Sequence, residues 1–233
     1  MATTPEKKKR ATYTTPKGEA LFCHLINVDY GTDQYPDEKG SFNLTLALDA
    51  DAAAKLDSLI AHEVDAARAE AEEKFDGLKP QTKKKFGSVN FNEVGPEEYD
   101  REGNPTGRRL FRFKTGAFYE NRQGVRMQRK VPLFDSMQQP VKLSDEPGNG
   151  SVIRVAFCCA PYFVEGQGMG GLRLYLNAVQ IVRLNTSGER SASDYGFGAE
   201  EGGFTSEGMD DDAASANAAT DTAAAPDADV PQF

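Results

Sequence analysis

The stretch RRLFRFKTGAFYENRQGVRMQRK, residues 108–130, is the part of the sequence that says most about the fold and the function. In its first part cations alternate with apolar side chains, and a period of two predicts a β-strand that presents cations on one face. Between residues 101 and 130 nine Lys or Arg stand against two Glu, a local charge of +7 in a chain whose total is −9. Four aromatic residues lie among these cations: Phe111, Phe113, Phe118 and Tyr119.

This mixture of cations and aromatics favours a nucleic-acid-binding surface. Cations neutralise phosphates and aromatic faces stack on unpaired bases, which suits a single strand better than a duplex. The alternative is a solvated basic hairpin with its Phe side chains in the core, and for Phe111 and Phe113 burial is favoured. For the cations together nucleic acid is favoured, because crowded like charges repel unless an anion meets them. The candidate residues here are Arg108, Arg109, Phe111, Arg112, Lys114, Phe118, Tyr119, Arg122, Arg126, Arg129 and Lys130.

Charge is segregated along the chain. Residues 191–233 contain ten Asp or Glu and no Lys or Arg, so residues 1–190 carry a net charge of +1. Residues 49–76 hold nine acids and three bases, which leaves the remaining body clearly basic. A basic surface tied to an acidic tail is the pattern that a function must explain.

Composition and motifs argue against several classes of protein. No apolar run is long enough to cross a bilayer, and the N-terminus lacks the apolar run of a secretory signal. Three cysteines, two of them adjacent, argue against disulfides and predict a cytosolic chain. His24 and His62 are isolated, so no metal site is predicted. The sequence has no nucleophile elbow, phosphate loop or paired catalytic carboxylates, and it predicts neither catalytic residues nor an enzyme.

Alternating apolar residues predict a mainly β fold. Strands are expected at residues 19–30 and 42–48, with a turn-rich loop of Gly and Pro at 31–40 between them. Two further strands are expected at residues 151–164 and 172–184. The glycines between them match the pattern GxGxxG, but they lead into a strand instead of a helix, so we predict a hairpin loop and no cofactor.

One long helix is predicted at residues 49–76. Apolar side chains recur there at helical spacing, Asp49 or Asp51 provides an N-cap, and Gly77 ends the helix. Its acidic outer face is predicted to be solvated surface that avoids DNA.

The chain divides into three predicted parts. Residues 1–18 form a flexible basic arm, residues 19–186 form the folded domain, and residues 187–233 form a disordered acidic tail. The tail ends in an aromatic residue that has no core to join, which favours an anchor for a partner's pocket over an accidental terminus. The predicted docking residues are Asp227, Asp229 and Phe233.

Several short motifs occur in an order that resembles one known family. They are Asp29-Tyr30-Gly31, Lys39-Gly40, Phe111-Arg112-Phe113-Lys114, Ala160-Pro161-Tyr162, the strand at 172–184 and the terminal Phe233. Together they resemble the single-stranded DNA-binding proteins of T-odd podophages and their relatives in other tailed phages. The resemblance implies an OB-fold-like five-stranded β-barrel. The predicted helix follows the second strand, whereas the usual OB barrel has its helix between strands three and four.

The resemblance also implies roles for individual residues. Lys39 stands where the family has a DNA-contacting arginine, and Tyr162 matches a base-stacking tyrosine. Val164 stands where a family member has tryptophan, a residue that this chain lacks. Phe163 is the candidate replacement, although it would face the other side of a regular strand. The remaining predicted DNA-binding residues, on the last two strands, are Arg154, Arg173 and Tyr175.

The resemblance implies a role in phage DNA replication, recombination and repair, in the cytoplasm of the infected bacterial host. The acidic tail is expected to compete with DNA for the basic surface and to dock the replicative DNA polymerase and the helicase/primase. A homodimer is left open. The alternative is an RNA-binding or nucleic-acid-chaperone β-barrel, because stacking and phosphate contacts serve RNA equally.

Overall fold

The computed structural model describes residues 10–121 and 123–185 of the 233-residue chain. Eleven strands, two α-helices and one 3₁₀ turn are present among them. In chain order they are β1 (Tyr13–Thr14), β2 (Gly18–Thr32), β3 (Tyr35–Leu48), α1 (Ala50–Asp76), α2 (Pro80–Phe86), β4 (Asn90–Phe91), β5 (Glu97–Tyr99), β6 (Pro105–Gly116), β7 (Phe118–Glu120), β8 (Arg126–Gln128), β9 (Leu133–Phe134), β10 (Val152–Val164), the 3₁₀ turn Glu165–Gln167 and β11 (Met169–Arg183).

Five long strands close into a barrel. The order around it is β2, β3, β6, β11 and β10, and β10 returns to β2 through the pairs Val152–Glu19 and Ile153–Gly18. Neighbouring strands are antiparallel except for β6 and β11, which run parallel. The predicted mainly β, OB-like five-stranded barrel with one long helix is therefore confirmed.

The barrel interior is filled by one face of each strand. In β3, Phe42, Leu44 and Leu46 are buried inside, because side chains two residues apart share a face of a strand. Phe111 and Phe113 of β6 are also fully buried, as the sequence favours. The Phe113 ring meets the Phe157 ring edge-on at 5.1 Å between centroids, a favourable aromatic geometry.

Helix α1 packs across β10 and β11, with further contacts to β6 and β3. The Asp49 carboxylate accepts a hydrogen bond of 2.7 Å from the Ala52 N–H, which confirms it as the N-cap. Buried Leu56, Ile60 and Ala71 mark the apolar stripe that faces the barrel. As predicted, the helix lies between the second and third barrel strands.

The region predicted as a loop at 31–40 is mostly strand. β2 continues to Thr32 and β3 begins at Tyr35, so only Asp33 and Gln34 form the turn. Gly31, at φ 78°, makes this possible, because a Cβ there would lie 2.2 Å from the Tyr35 carbonyl oxygen. Glycine here marks a close backbone approach inside a hairpin instead of a break in the strands.

Three features go beyond the sequence prediction. The short helix α2 begins with Pro80 at its first turn, where the missing N–H costs nothing. Strand β1 pairs with β10 and Thr15 is fully buried, so part of the range predicted as a flexible arm belongs to the sheet. The Glu146 carboxylate accepts hydrogen bonds of 2.7–2.9 Å from three successive N–H groups of β2 and fixes the irregular segment at 132–150.

The predicted tail at 187–233 lies outside the described residues, as do residues 1–9. The boundary at 186 therefore stays a prediction. None of the helices within residues 10–121 and 123–185 combines the length and apolarity that a membrane span needs.

Candidate nucleic-acid interface

Strand register gathers cations and tyrosines on the outer face of the barrel. Lys114 of β6 lies between Asn43 of β3 and Tyr175 of β11 in the sheet. Arg112 and Arg173 precede Lys114 and Tyr175 by two residues on their strands, so they point to the same side. Side chains that are far apart in sequence therefore form one surface.

These side chains line an open groove of about 710 Å³, here called the basic groove. Among the described residues three cations and no carboxylate line it, so the formal charge of its lining is +3. One of these cations, Lys114, also forms an ion pair with Asp37 outside the groove. Such a groove attracts a polyanion, and its two tyrosines offer aromatic faces to bases. The residues of the basic groove are Arg112, Lys114, Thr115, Gly116, Tyr162, Val164, Met169, Leu172, Arg173, Leu174 and Tyr175.

Tyr162 is held in place by contacts on several sides. Asn92 Nδ2 donates a 2.6 Å hydrogen bond to its hydroxyl, and the Arg173 guanidinium carbon lies 4.9 Å from its ring centroid. The ring crosses Gly171 on the neighbouring strand, where a Cβ would lie 2.7–2.8 Å from three ring and hydroxyl atoms. A glycine in this strand position therefore leaves the space that the tyrosine ring occupies.

Gly171→Ala is expected to weaken binding to an oligo-dT about 10-fold, within the range for losing one stacked base. The added methyl group displaces the Tyr162 ring, while the backbone of Gly171 is in a conformation open to alanine. Gly77→Ala, at the end of α1 and outside the basic groove, is the matched control, because its Cβ would meet only carbonyl oxygens of the helix at an ordinary 3.5–3.7 Å. Fluorescence anisotropy measures both affinities, and equal affinities for the two variants would contradict a role for the Tyr162 position.

A second cavity of about 760 Å³ lies beside the β2–β3 turn and is here called the hairpin cavity. Arg112 and Lys114 line both this cavity and the basic groove, so the two adjoin. Lys39, predicted from the resemblance, lines the hairpin cavity together with three carboxylates. The members of the hairpin cavity are Asp29, Gly31, Gln34, Tyr35, Pro36, Asp37, Glu38, Lys39, Arg112 and Lys114.

Contacts within the hairpin cavity lower the pKa of two of its carboxylates. Lys114 Nζ donates a 2.9 Å hydrogen bond to Asp37 Oδ2, and this contact is the main reason why the pKa of Asp37 is lowered. Burial acts to raise the pKa of Asp29, but hydrogen bonds from the Gly31 N–H and from Asn43 outweigh it and lower that pKa overall. The hairpin cavity is thus close to neutral, with three cations against three carboxylates.

The hairpin of β7 and β8 continues directly from the end of the basic groove. Its guanidinium groups lie on its own aromatic rings, with Arg126 4.0 Å from the Phe118 centroid and Arg129 5.4 Å from that of Tyr119. Arg129 also donates from Nε to the Gly116 carbonyl oxygen at 3.1 Å. Lys130 is exposed beside this hairpin, whereas Arg122 at its tip lies outside the described residues.

Two predicted cations serve the fold instead of the groove. Arg108 donates to the carboxylates of Glu98 and Glu19, at 2.6–2.9 Å. Arg109 pairs with Asp57 of α1 and donates to the carbonyl oxygens of Val94 and Gly95 at 2.6 Å. Both guanidinium groups are thus paired with carboxylates and lie outside the basic groove, and their contact with DNA stays a prediction.

Three other predicted site residues also lie away from the basic groove. Phe111 is fully buried and has no face free for a base, so its assignment to DNA is wrong. Phe163 lies beside Gly170, which itself packs against Ala71 of α1, so its ring is on the helix side of the sheet. Arg154 donates to the Thr15 carbonyl oxygen at 3.2 Å. It is eight residues from Tyr162 along β10, or roughly 26 Å at ~3.3 Å per residue.

The candidate interface also contains residues that the alternation of side chains in the sequence does not identify. The Arg10 guanidinium carbon lies 5.4 Å from the Tyr175 ring centroid, so the basic arm reaches the edge of the basic groove. Asn92, which orients Tyr162, comes from the segment next to β4 and gives no signal in the sequence. Tyr35 carries no motif, yet it lines the hairpin cavity.

Comparison with known proteins finds one matching family and several similar structures. A family model described as single-stranded DNA-binding protein, bacteriophage T7, matches residues 17–184. The fold is similar to gp2.5, a single-stranded DNA-binding protein encoded by bacteriophage T7, at 19% identity and a TM-score of 0.59, over 84% of this chain and 99% of that chain. The single-stranded DNA-binding protein from bacteriophage Enc34 in complex with ssDNA is similar at 10% identity and a TM-score of 0.47, over 76% and 89%. No curated protein matches the chain.

Proposed function

The chain belongs to the single-stranded DNA-binding protein family of bacteriophage T7, whose model covers residues 17–184, and we propose that it binds single-stranded DNA in the basic groove. The observation that carries the proposal is a groove that, among the described residues, is lined by three cations and two tyrosines without a carboxylate. Membership of this non-enzymatic family also confirms the prediction that the chain is not an enzyme.

The chemistry of the basic groove favours a single strand bound without sequence preference. Arg112, Lys114 and Arg173 offer charge to phosphates, which are the same for every sequence. The tyrosine rings offer stacking faces, and every unpaired base has a face to stack. In a duplex those faces are covered by neighbouring base pairs, so the aromatic contribution is lost.

A titration of the full chain with fluorescent oligo-dT tests this proposal. We expect saturable binding, with log K falling against log salt by about 0.7 for each phosphate neutralised. A duplex of the same length is expected to bind more weakly, because it hides its base faces. Binding that is independent of salt, or stronger to the duplex, would contradict the proposal. Competition with oligo-U of equal length separates it from the alternative of an RNA-binding protein.

The wider role follows from the proposal and from the resemblance. We propose that the protein acts in phage DNA replication, recombination and repair, in the cytoplasm of the infected host. The acidic tail at 191–233 is proposed to compete with DNA for the basic groove. Its ten carboxylates are tethered to a chain whose groove lining has a formal charge of +3. Asp227, Asp229 and Phe233 are proposed to dock the polymerase and the helicase/primase.

A further inference from the structure

An exposed tyrosine lies at the end of the β2–β3 hairpin, beyond the basic groove. Tyr35 is 81% exposed, more than any other large apolar or aromatic side chain among the described residues. Tyr30, on the facing strand, covers Gly40 with its ring and is exposed to a lesser degree. A side chain so exposed leaves most of its surface free for a ligand. We infer that Tyr35 is a further base-stacking residue, and this inference rests on the proposed binding of single-stranded DNA.

The backbone holds Tyr35 in a defined place. It pairs with Thr32 across a two-residue turn, and the next pair joins Gly31 to Pro36. The Tyr35 N–H also donates to Thr32 Oγ1 at 3.3 Å. Because the strands fix the backbone, stacking on this ring requires only a side-chain rotation, and little ordering entropy opposes it.

The charge around Tyr35 suits a base better than a phosphate. Three carboxylates line the hairpin cavity, whereas none of the described residues that line the basic groove is a carboxylate. Arg112 and Lys114 are common to both, so the carboxylates make the difference in charge. Asp29 and Asp37 are negatively charged at neutral pH like any carboxylate, and contacts within the cavity lower the pKa of each further. Phosphates are therefore drawn to the basic groove, and an uncharged base is the part of a nucleotide that fits beside Tyr35.

A single strand can use both places together. Arg112 and Lys114 line the two cavities in common, so a backbone held by these cations has Tyr162 on one side and Tyr35 on the other. The basic groove has Val164, an aliphatic residue, two positions after Tyr162. Tyr35 supplies an additional aromatic face from a different strand of the barrel.

A tryptophan reporter tests the inference directly, because the chain contains no tryptophan. Tyr35→Trp places a single indole on the hairpin, and stacking on a base is expected to quench its fluorescence when oligo-dT binds. Tyr99→Trp is the matched control, since Tyr99 is also exposed, at 59%, but lies on β5 beside Glu97. Its emission is expected to stay unchanged at saturating oligo-dT.

Affinity measurements provide a second, independent test of the inference about Tyr35. Tyr35→Ala is expected to weaken oligo-dT binding about 5- to 100-fold, the range for one stacked base, while leaving the salt slope unchanged. Tyr35→Phe is expected to bind like the unaltered chain, because stacking needs the ring and not the hydroxyl group. Circular dichroism is expected to show an unchanged fold for both, since so exposed a side chain contributes little to packing.

The outcomes separate this inference from the proposed function. If anisotropy shows that the Tyr35→Trp variant binds oligo-dT but its indole emission does not change, Tyr35 is not a stacking residue and the basic groove binds DNA without it. Equal quenching in the Tyr35→Trp and Tyr99→Trp variants would also overturn the inference, because it would reflect a general effect of DNA on exposed indoles. If the unaltered chain fails to bind oligo-dT, both the proposed function and the inference fall.

Discussion

Replacing Arg112 by glutamate is expected to weaken the binding of oligo-dT roughly 100-fold at physiological salt, because a like charge placed against a phosphate costs several kcal/mol. Arg112 is exposed on the outer face of β6 and lines both the basic groove and the hairpin cavity. The substitution lowers the charge of the groove from +3 to +1 at its centre. The slope of log K against log salt is expected to become shallower by about 0.7, the share of one phosphate.

Arg101→Glu is the matched control for this result. It makes the same change in net charge, and Arg101 is exposed in the turn between β5 and β6, away from the residues of the basic groove. Charges separated by more than the Debye length of about 8 Å at physiological salt are largely screened, so the control is expected to bind nearly normally. Equal weakening by both variants would show that total charge, and not the groove, governs binding.

The difference between Arg112 and its neighbours shows what the sequence can predict. The alternation in β6 correctly indicates that Phe111 and Phe113 are inside and that Arg112 and Lys114 are outside. Alternation does not show what lies beyond each end of the strand. Arg108, at one end, meets carboxylates from distant segments of the chain, and only the folded topology brings these together.

The same limit explains why the predicted site is only partly gathered in one place. Tyr162, Arg173 and Tyr175 join Arg112 and Lys114, because the pairing of β10, β11 and β6 fixes their relative positions. The sequence identifies the strands, but it does not give their register or their order around the barrel. Residue type alone therefore selects several cations and aromatics that the fold uses elsewhere.

The predicted loop at 31–40 illustrates a different limit. Glycine and proline usually interrupt strands, and this composition favours a loop. In the structure Gly31 permits a close approach of β2 and β3, and Gly40 leaves room for the Tyr30 ring. Both glycines make a long hairpin possible, and the hairpin carries Tyr35 and Lys39 to the edge of the basic groove. The two glycines that predict a loop from the sequence are thus required for close packing within the hairpin.

Phe111→Ala is expected to lower the free energy of unfolding by about 3–5 kcal/mol, the usual cost of removing a buried phenylalanine side chain. Phe111 has no exposed surface, and a Cβ at Gly95 would lie 2.4 Å from its ring, so its surroundings are closely packed. Urea unfolding measures the change in free energy, and an unchanged m value shows that the transition stays comparable. The folded fraction is expected to bind oligo-dT as the unaltered chain does, because Phe111 does not reach the groove.

Tyr162→Ala is the counterpart, and it is expected to give the opposite pattern. Its half-buried ring lines the basic groove, so its loss is expected to cost on the order of 1–3 kcal/mol of DNA binding and far less stability than the loss of Phe111. The two variants remove aromatic rings of similar size, and only their placement on opposite faces of the barrel wall differs. If folded Phe111→Ala lost as much affinity as Tyr162→Ala, the core of the barrel would have to open when DNA binds. Separate losses of stability and of affinity instead mean that the barrel is a rigid support and that its outer tyrosines meet the bases.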